Sequence, residues 1–137
     1  MTDKEKILIV DDDPDILDAL AMILESRGYE VVTARDGVEG LANLKAETPD
    51  LMILDLLMPK MDGFGVLKEL KDPRWAKYAQ IPILILTSVR EEASRRRYEL
   101  ETGLALGVDD YIEKPMPPDT LLERVGRLLS KKTSKKM

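Results

Sequence analysis

Three consecutive carboxylates directly follow the first apolar stretch of the sequence. Residues 7–10 are all aliphatic, and Asp11, Asp12 and Asp13 come next, followed by Pro14. Neighbouring carboxylates repel one another unless a cation or hydrogen-bond donors stabilise them. Asp13 before Pro14 is typical of a helix N-cap followed by proline at the first helical position. This role leaves Asp11 and Asp12 unexplained, and both a metal or ligand site and plain solvation stay open for them.

Later apolar stretches also lead to polar residues. Asp55, Thr87 and Lys114 each follow one of these stretches. Taken singly, Asp55 is explained as a turn acid, Thr87 as a strand-end hydroxyl and Lys114 as a surface cation. The recurrence of polar groups at four such ends favours one shared site over separate explanations.

Carboxylates, a hydroxyl and an ammonium together suit a hard divalent cation and a phosphoryl group. Mg²⁺ takes oxygen ligands, so Asp12 and Asp55 are expected to ligate directly, with Asp11 assisting directly or through water. Lys114 and Thr87 would spread the charge of an entering phosphoryl group. A carboxylate can also be the nucleophile and form an aspartyl phosphate. Asp55 is the best candidate for the nucleophile, because it is the lone acid on the central loop, whereas Asp11 and Asp12 are adjacent to each other.

The elements that must position these residues alternate along the chain, without internal repeats. Predicted strands are residues 7–10, 29–34, 50–55, 81–86 and 108–112, and helical patterns are residues 16–24, 38–44, 64–70, 90–106 and 121–129. This alternation predicts an α/β fold, a doubly wound parallel sheet with helices on both faces. Ligands bind outside the carboxyl ends of the strands in such a sheet, so the polar residues are expected to meet in one crevice.

Composition excludes several kinds of site. The 137 residues include no cysteine and no histidine, which rules out disulfides, thiolate metal sites, histidine-ligated zinc and a Ser-His-Asp triad. The formal net charge is -5, and an acidic chain disfavours nucleic-acid binding. No glycine-rich phosphate loop is present, so nucleotide binding is not expected.

The domain organisation is predicted to be simple. Residues 1–130 are expected to form one domain, and residues 131–137, which hold four lysines and no acid, a disordered basic tail. No apolar run approaches the roughly 18 residues of a membrane span, and no signal peptide is recognised, so a cytoplasmic location without membrane contact is expected. The given sequence offers no output domain after the final helical pattern, so we expect function through protein contacts unless the chain is part of a longer protein.

These motifs resemble the signature of two-component response-regulator receiver domains, over about residues 5–130. The matching segments are Asp11-Asp12, Asp55-Leu-Leu-Met58-Pro59-Lys-Met61-Asp62-Gly63, Thr87-Ser88 and Lys114-Pro115. The resemblance implies a chemotaxis-receiver-like, flavodoxin-like (βα)5 fold, with five parallel strands in the order 2-1-3-4-5. It implies a phosphoacceptor rather than an enzyme acting on separate substrates.

The resemblance also implies the central chemistry. A histidine kinase or phosphotransfer protein would transfer a phosphoryl group to Asp55. Mg²⁺ would be held by Asp11, Asp12, Asp55 and the backbone carbonyl of Leu57. The downstream target is expected to be a protein that the sequence does not identify.

Further roles come from the same resemblance. Thr87, Ser88 and Lys114 would stabilise the phosphoryl group, and Thr87 and Tyr111 would act as a switch pair that changes the output surface. Spacing alone favours a half-buried strand aromatic for Tyr111, and the resemblance favours the switch role. The peptide bond before Pro115 is expected to be cis, which X-Pro bonds tolerate in tight turns.

Two departures from the family pattern carry consequences. Thr87 and Lys114 are further apart in the sequence than is usual, with the extra length around residues 90–99; a longer solvated helix and an altered partner surface both stay open. Leu57 and Val89, which flank the hydrolytic water in this family, are apolar and cannot orient that water. We therefore predict a long-lived phosphorylated state.

Two other classes of function fit parts of this sequence pattern. A hydrolase acting through an aspartyl phosphate needs a second acid two residues after the nucleophile, where this chain has Leu57. A phosphorylation-independent interaction domain is the remaining alternative, and the complete set of acids together with Thr87 and Lys114 argues against it.

Overall fold

A five-stranded parallel sheet forms the centre of the chain. The computed structural model describes residues 4–56, 58, 61–87, 110–114 and 116–136, with only the backbone described at 87, 111, 113 and 131–136. The strands are β1 (Lys6–Val10), β2 (Glu30–Ala34), β3 (Leu51–Asp55), β4 (Ile83–Thr87) and β5 (Asp110–Glu113). Their order is β2-β1-β3-β4-β5, and every neighbouring pair is parallel. The predicted fold class and strand order are confirmed.

Helices connect the strands on both faces of the sheet. They are α1 (Pro14–Glu25), α2 (Gly37–Glu47), α3 (Gly63–Leu70), a 3₁₀ helix (Pro73–Tyr78) and the C-terminal helix (Pro118–Lys136). The 3₁₀ helix lies between the helical pattern of residues 64–70 and the strand predicted at residues 81–86, where the sequence predicted no regular element. The helix predicted at residues 90–106 lies outside the described residues.

Aspartates begin four of these helices. The carboxylates of Asp13, Asp36, Asp62 and Asp72 accept backbone N–H bonds at 2.8–2.9 Å from the first turn of α1, α2, α3 and the 3₁₀ helix respectively. The first N–H groups of a helix have no partner within it, and an aspartate at this position stabilises it by about 1 kcal/mol relative to alanine. The expected N-cap role of Asp13 is therefore present.

Two apolar layers cover the sheet. Alternate residues of a strand point to opposite faces: Ile7 and Ile9 pack with α1 and the C-terminal helix, whereas Leu8 and Val10 pack with α2 and α3. All four side chains are fully buried. Burial on both faces explains why this strand reads as an uninterrupted aliphatic run.

Ion pairs join elements at the amino end of the sheet. The Lys6 amide donates to the Asp50 carboxylate at 2.8 Å, and Lys6 Nζ lies 3.0 Å from Glu47 Oε1. Asp110 at the start of β5 pairs with Arg124 at 3.0 Å and with Arg127 at 2.6 Å. These contacts attach α2 to β1 and the C-terminal helix to β5, far along the strands from the polar residues at their carboxyl ends.

The C-terminal helix continues beyond the predicted domain boundary. Its backbone is helical through Lys136, whereas the sequence suggested a disordered tail from residue 131; the division of the chain at residue 130 stays a prediction. Within the described part of the chain, no helix is both long enough and apolar enough to cross a bilayer.

Candidate functional site

Strand register brings the predicted polar residues to one edge of the sheet. Val10 is paired with Leu54 in the neighbouring strand, so Asp11 and Asp55 follow at the same level. Thr87 is paired with Glu113, the residue before Lys114. The carboxyl ends of β1, β3, β4 and β5 thus meet as expected for a doubly wound sheet.

Asp11 lies at the bottom of this site. Its side chain is fully buried, and its amide donates to the Ala34 carbonyl at 3.0 Å. Oδ1 accepts the Asp13 N–H at 3.0 Å. Oδ2 receives no hydrogen bond of good geometry and lies 3.1 Å from Lys114 Nζ, so this second contact is electrostatic. Asp11 therefore joins the start of α1 to the charged site.

Lys114 lies between two buried carboxylates. Its Nζ is 3.1 Å from Asp11 Oδ2 and 3.4 Å from Asp55 Oδ1. The Asp55 side chain is 3% exposed and that of Lys114 is 20% exposed, so solvent screens these contacts only weakly. Among the described residues of the site, this ammonium faces two buried acids, so negative charges outnumber positive ones there.

Burial controls the ionisation of Asp11. It raises the pKa of the Asp11 carboxyl from 3.8 to about 6, and the nearby Asp55 charge acts in the same direction. The Asp13 N–H and the Lys114 ammonium oppose this shift. A further cation beside Asp11 would favour the charged form.

The donor set fits a hard divalent cation. Asp11, Asp12 and Asp55 each offer a carboxylate oxygen, and these oxygens lie within 4.8 Å of one another. Asp12 is exposed while the other two are buried, so the cluster opens to solvent on one side. The buried Asp11 Oδ2, which lacks a hydrogen bond, is an additional sign that the site has unused capacity for a cation.

Several predicted site residues lie outside the described part of the chain. Leu57, Ser88 and Pro115 are among them, and Thr87 and Tyr111 are described in their backbones alone. The predicted carbonyl ligand, phosphate contacts, switch pair and cis peptide therefore stay predictions. Asp11, Asp12, Asp55 and Lys114 are the predicted residues that the structure brings together.

Two glycines that the sequence analysis did not single out as site residues support this edge of the sheet. A Cβ on Gly63 would lie 2.5 Å from the Asp55 carbonyl oxygen, and its N–H donates to the Leu56 carbonyl at 2.9 Å. Gly37 at the start of α2 donates to the Met61 carbonyl at 2.8 Å. Both glycines follow an aspartate. Close approach between segments distant in the sequence leaves no local signal.

Comparisons with known protein families agree with this geometry. The family model described as the response regulator receiver domain matches residues 7–126. A solved structure titled a response regulator receiver domain protein (CheY-like), from Methanospirillum hungatei JF-1, is similar with a TM-score of 0.77 and 32% sequence identity. The similarity covers 97% of this chain and 99% of that one.

Longer proteins share the same sequence pattern. The probable transcriptional regulator ycf27 of Cyanophora paradoxa is 46% identical over 126 residues, which are 92% of this chain and 48% of that protein. The alkaline phosphatase synthesis transcriptional regulatory protein PhoP of Bacillus subtilis (strain 168) is 42% identical over 125 residues, which are 91% of this chain and 48% of that protein. The chain thus spans about half the length of the curated relatives it matches.

Proposed function

This chain belongs to the response regulator receiver domain family, and on that premise we propose that it accepts a phosphoryl group on Asp55 from a histidine kinase or phosphotransfer protein. Family membership confirms the resemblance inferred from the motifs. The observation that carries the proposal is the contact of one ammonium, Lys114, with the buried carboxylates of Asp11 and Asp55.

Asp55 acts as the nucleophile in this proposal. A carboxylate oxygen of Asp55 attacks the phosphorus of the donor's phosphorylated histidine, a phosphorus–oxygen bond forms, and the phosphorus–nitrogen bond breaks. The leaving imidazole takes a proton from solvent. Asp11 and Asp55 are both buried, so attack is restricted to the open side of the site, where the exposed Asp12 lies.

Charge neutralisation is the main contribution of the remaining residues. Lys114 would move from Asp55 Oδ1 to an oxygen of the attached phosphoryl group, a short movement because it starts 3.4 Å from that carboxylate. Asp11, Asp12, Asp55 and the Leu57 carbonyl would hold Mg²⁺, which when bound offsets the negative charge that gathers at the phosphoryl oxygens. Asp11 and Asp12 would orient that cation, and Thr87 and Ser88 would donate hydroxyl hydrogen bonds.

Signalling would follow from a shift between two states. The phosphoryl group adds negative charge and acceptor oxygens at Asp55, which attract the Thr87 hydroxyl and make space for Tyr111 to turn inward. A ligand or modification shifts an equilibrium only by its differential interaction with the two states. A protein partner would bind the surface that changes with Tyr111, and the names of the longer relatives point to transcription as the controlled process. The proposal requires a location shared with the phosphoryl donor, and a cytoplasmic one stays a prediction.

Phosphorylation can be tested with a small donor. The protein is incubated with Mg²⁺ and acetyl phosphate, and its intact mass is measured. One added phosphoryl group is expected for wild-type protein and none for Asp55→Asn. Asp18→Asn, which changes an exposed acid of α1, is the matched control and should be phosphorylated normally.

The same experiment separates the proposal from a phosphorylation-independent interaction domain. A wild-type protein without the added mass, or an adduct that survives Asp55→Asn, would refute phosphorylation at Asp55. Omission of Mg²⁺ with a chelator should also prevent the adduct.

A further inference from the structure

We propose that Gly37 is a positioning residue for the phosphorylation site, because its amide and its lack of a side chain hold Met61, in the loop between β3 and α3, against the start of α2. The inference rests on the proposed function, since this loop connects Asp55 to α3 and includes Leu57, the proposed carbonyl ligand. Nothing in the proposed chemistry requires Gly37 itself to touch the phosphoryl group.

A single hydrogen bond joins the two segments. The Gly37 N–H donates to the Met61 carbonyl at 2.8 Å. Gly37 is the first residue of α2, where N–H groups have no acceptor within the helix and the helix dipole favours negative partial charge. The Met61 carbonyl supplies both the missing acceptor and the negative partial charge. It belongs to the loop before α3 and not to α2.

Space, rather than backbone freedom, requires glycine here. Among the described glycines, Gly28 has a positive φ, and Gly37 does not, so alanine would be acceptable for the backbone. A Cβ on Gly37 would overlap the Met61 carbonyl oxygen and lie 2.8 Å from Val66 Cγ2. The obstructing oxygen belongs to the backbone, so relief requires the loop or the helix to move.

The start of α2 resists such a movement. The Asp36 carboxylate accepts the Glu39 N–H at 2.8 Å, and the Glu39 carboxylate accepts the Arg35 N–H at 2.8 Å. These reciprocal bonds, similar to a capping box, hold the turn that contains Gly37. We therefore expect the loop to give way when a side chain is added.

Movement at Met61 would be transmitted to Asp55 through Gly63, which lies two residues after Met61 and contacts Asp55. Asp62 follows Met61 and is the N-cap of α3, and Gly63 is the first residue of that helix. Gly63 donates to the Leu56 carbonyl at 2.9 Å and approaches the Asp55 carbonyl closely. Gly63 thus contacts Leu56, directly after β3, and Gly37 contacts Met61, shortly before α3.

The first test compares two glycine-to-alanine substitutions. Gly37→Ala should weaken Mg²⁺ binding, measured by calorimetry, and slow phosphorylation by acetyl phosphate at saturating Mg²⁺, each by on the order of tenfold, as loss of an outer contact typically does at metal sites. Gly28→Ala is the control: it strains a turn with positive φ and has open space around it. It should lower the Tm while leaving both functional measurements unchanged.

The second test needs no substitution. Coupling between two sites is reciprocal, so bound Mg²⁺ should strengthen the contact between Gly37 and Met61 and slow hydrogen exchange at the Gly37 amide of wild-type protein. Exchange at the Gly28 amide should not respond. This measurement decides the matter if Gly37→Ala fails to fold.

The outcomes distinguish this inference from the proposed function. A folded Gly37→Ala variant with the Mg²⁺ affinity and phosphorylation rate of wild-type protein would overturn the positioning role. A rate of hydrogen exchange at the Gly37 amide that is unchanged by bound Mg²⁺ would overturn it as well. Wild-type protein that gains no phosphoryl mass would instead refute the proposed function, while exchange at Gly37 would still decide the contact with the loop.

Discussion

The ammonium of Lys114 compensates two carboxylates that are almost completely removed from solvent. Removing one partner of a buried ion pair leaves a charge that neither water nor protein stabilises. We therefore predict that Lys114→Met lowers the free energy of unfolding by about 3 kcal/mol in the presence of a chelator. Denaturant unfolding measures this loss, and Lys71→Met, at an exposed lysine, should cost little.

Mg²⁺ should partly replace the lost ammonium. If the cation binds among Asp11, Asp12 and Asp55, its stabilising effect on Lys114→Met should exceed its effect on wild-type protein. An equal or smaller effect would argue against a cation site at these acids.

The raised pKa of Asp11 predicts a pH dependence of the metal-free protein. Between about pH 4 and pH 6, the folded state keeps a proton on Asp11 that the unfolded state has lost. Stability falls as pH rises wherever the folded state binds more protons, so this contribution is present below pH 4 and lost by about pH 6, at most roughly 3 kcal/mol. Denaturant unfolding in a chelator, compared with Asp11→Asn, measures it. A difference between the two proteins that stays constant over this range would contradict the prediction.

The side chains at two positions are predicted to set the lifetime of the phosphorylated state. Leu57 and Val89, both outside the described residues, cannot orient a hydrolytic water by hydrogen bonding. Phosphorylated protein separated from its donor should therefore lose phosphate slowly, measured by intact mass over time. Leu57→Asn should shorten the lifetime of the phosphorylated protein. Loss of the phosphoryl group from wild-type protein within seconds would contradict the prediction.

At the scale of elements, adjacent acids at the end of β1 divide between two roles. Asp13 caps α1, so Asp13→Ala should cost about 1 kcal/mol of stability and leave Mg²⁺ affinity nearly unchanged. Asp12 is exposed and belongs to the acidic cluster, so Asp12→Ala should weaken Mg²⁺ binding with little loss of stability. Thermal unfolding and calorimetric titration of both variants check the division, and a reversed pattern would refute it.

For the whole molecule, the shared sheet predicts one cooperative unfolding transition. Leu24 belongs to the apolar layer under α1, whereas Trp75 packs against the opposite layer. Leu24→Ala should lower the free energy of unfolding by about 3 kcal/mol. The unfolding transitions followed by Trp75 fluorescence and by far-UV circular dichroism should then move to the same lower denaturant midpoint. Met22→Ala, on the same helix but at a side chain 71% exposed, is the control. If the midpoint of the Trp75 fluorescence transition is unchanged by Leu24→Ala, the two layers unfold separately.

The sequence predicted what depends on local pattern. Aliphatic runs marked the strands, and a parallel sheet necessarily gathers their carboxyl ends, so the meeting of Asp11, Asp55 and Lys114 was foreseeable. The contacts of Gly37 with Met61 and of Gly63 with Asp55 were not, because they depend on the approach of segments whose positions only the folded chain determines. The 3₁₀ helix at Pro73–Tyr78 was missed for another reason: a six-residue helix is too short for its apolar spacing to stand out.

The two contacts of the Asp11 carboxylate also limit how the sequence can change during evolution. One oxygen holds the Asp13 amide at the start of α1, and the other faces Lys114, so the residue supports both the architecture and the charged site. No described contact of Asp12 stabilises the fold in a comparable way. A descendant released from phosphorylation would be free to replace Asp12 early, whereas Asp11 would persist after the signalling role that it serves had disappeared.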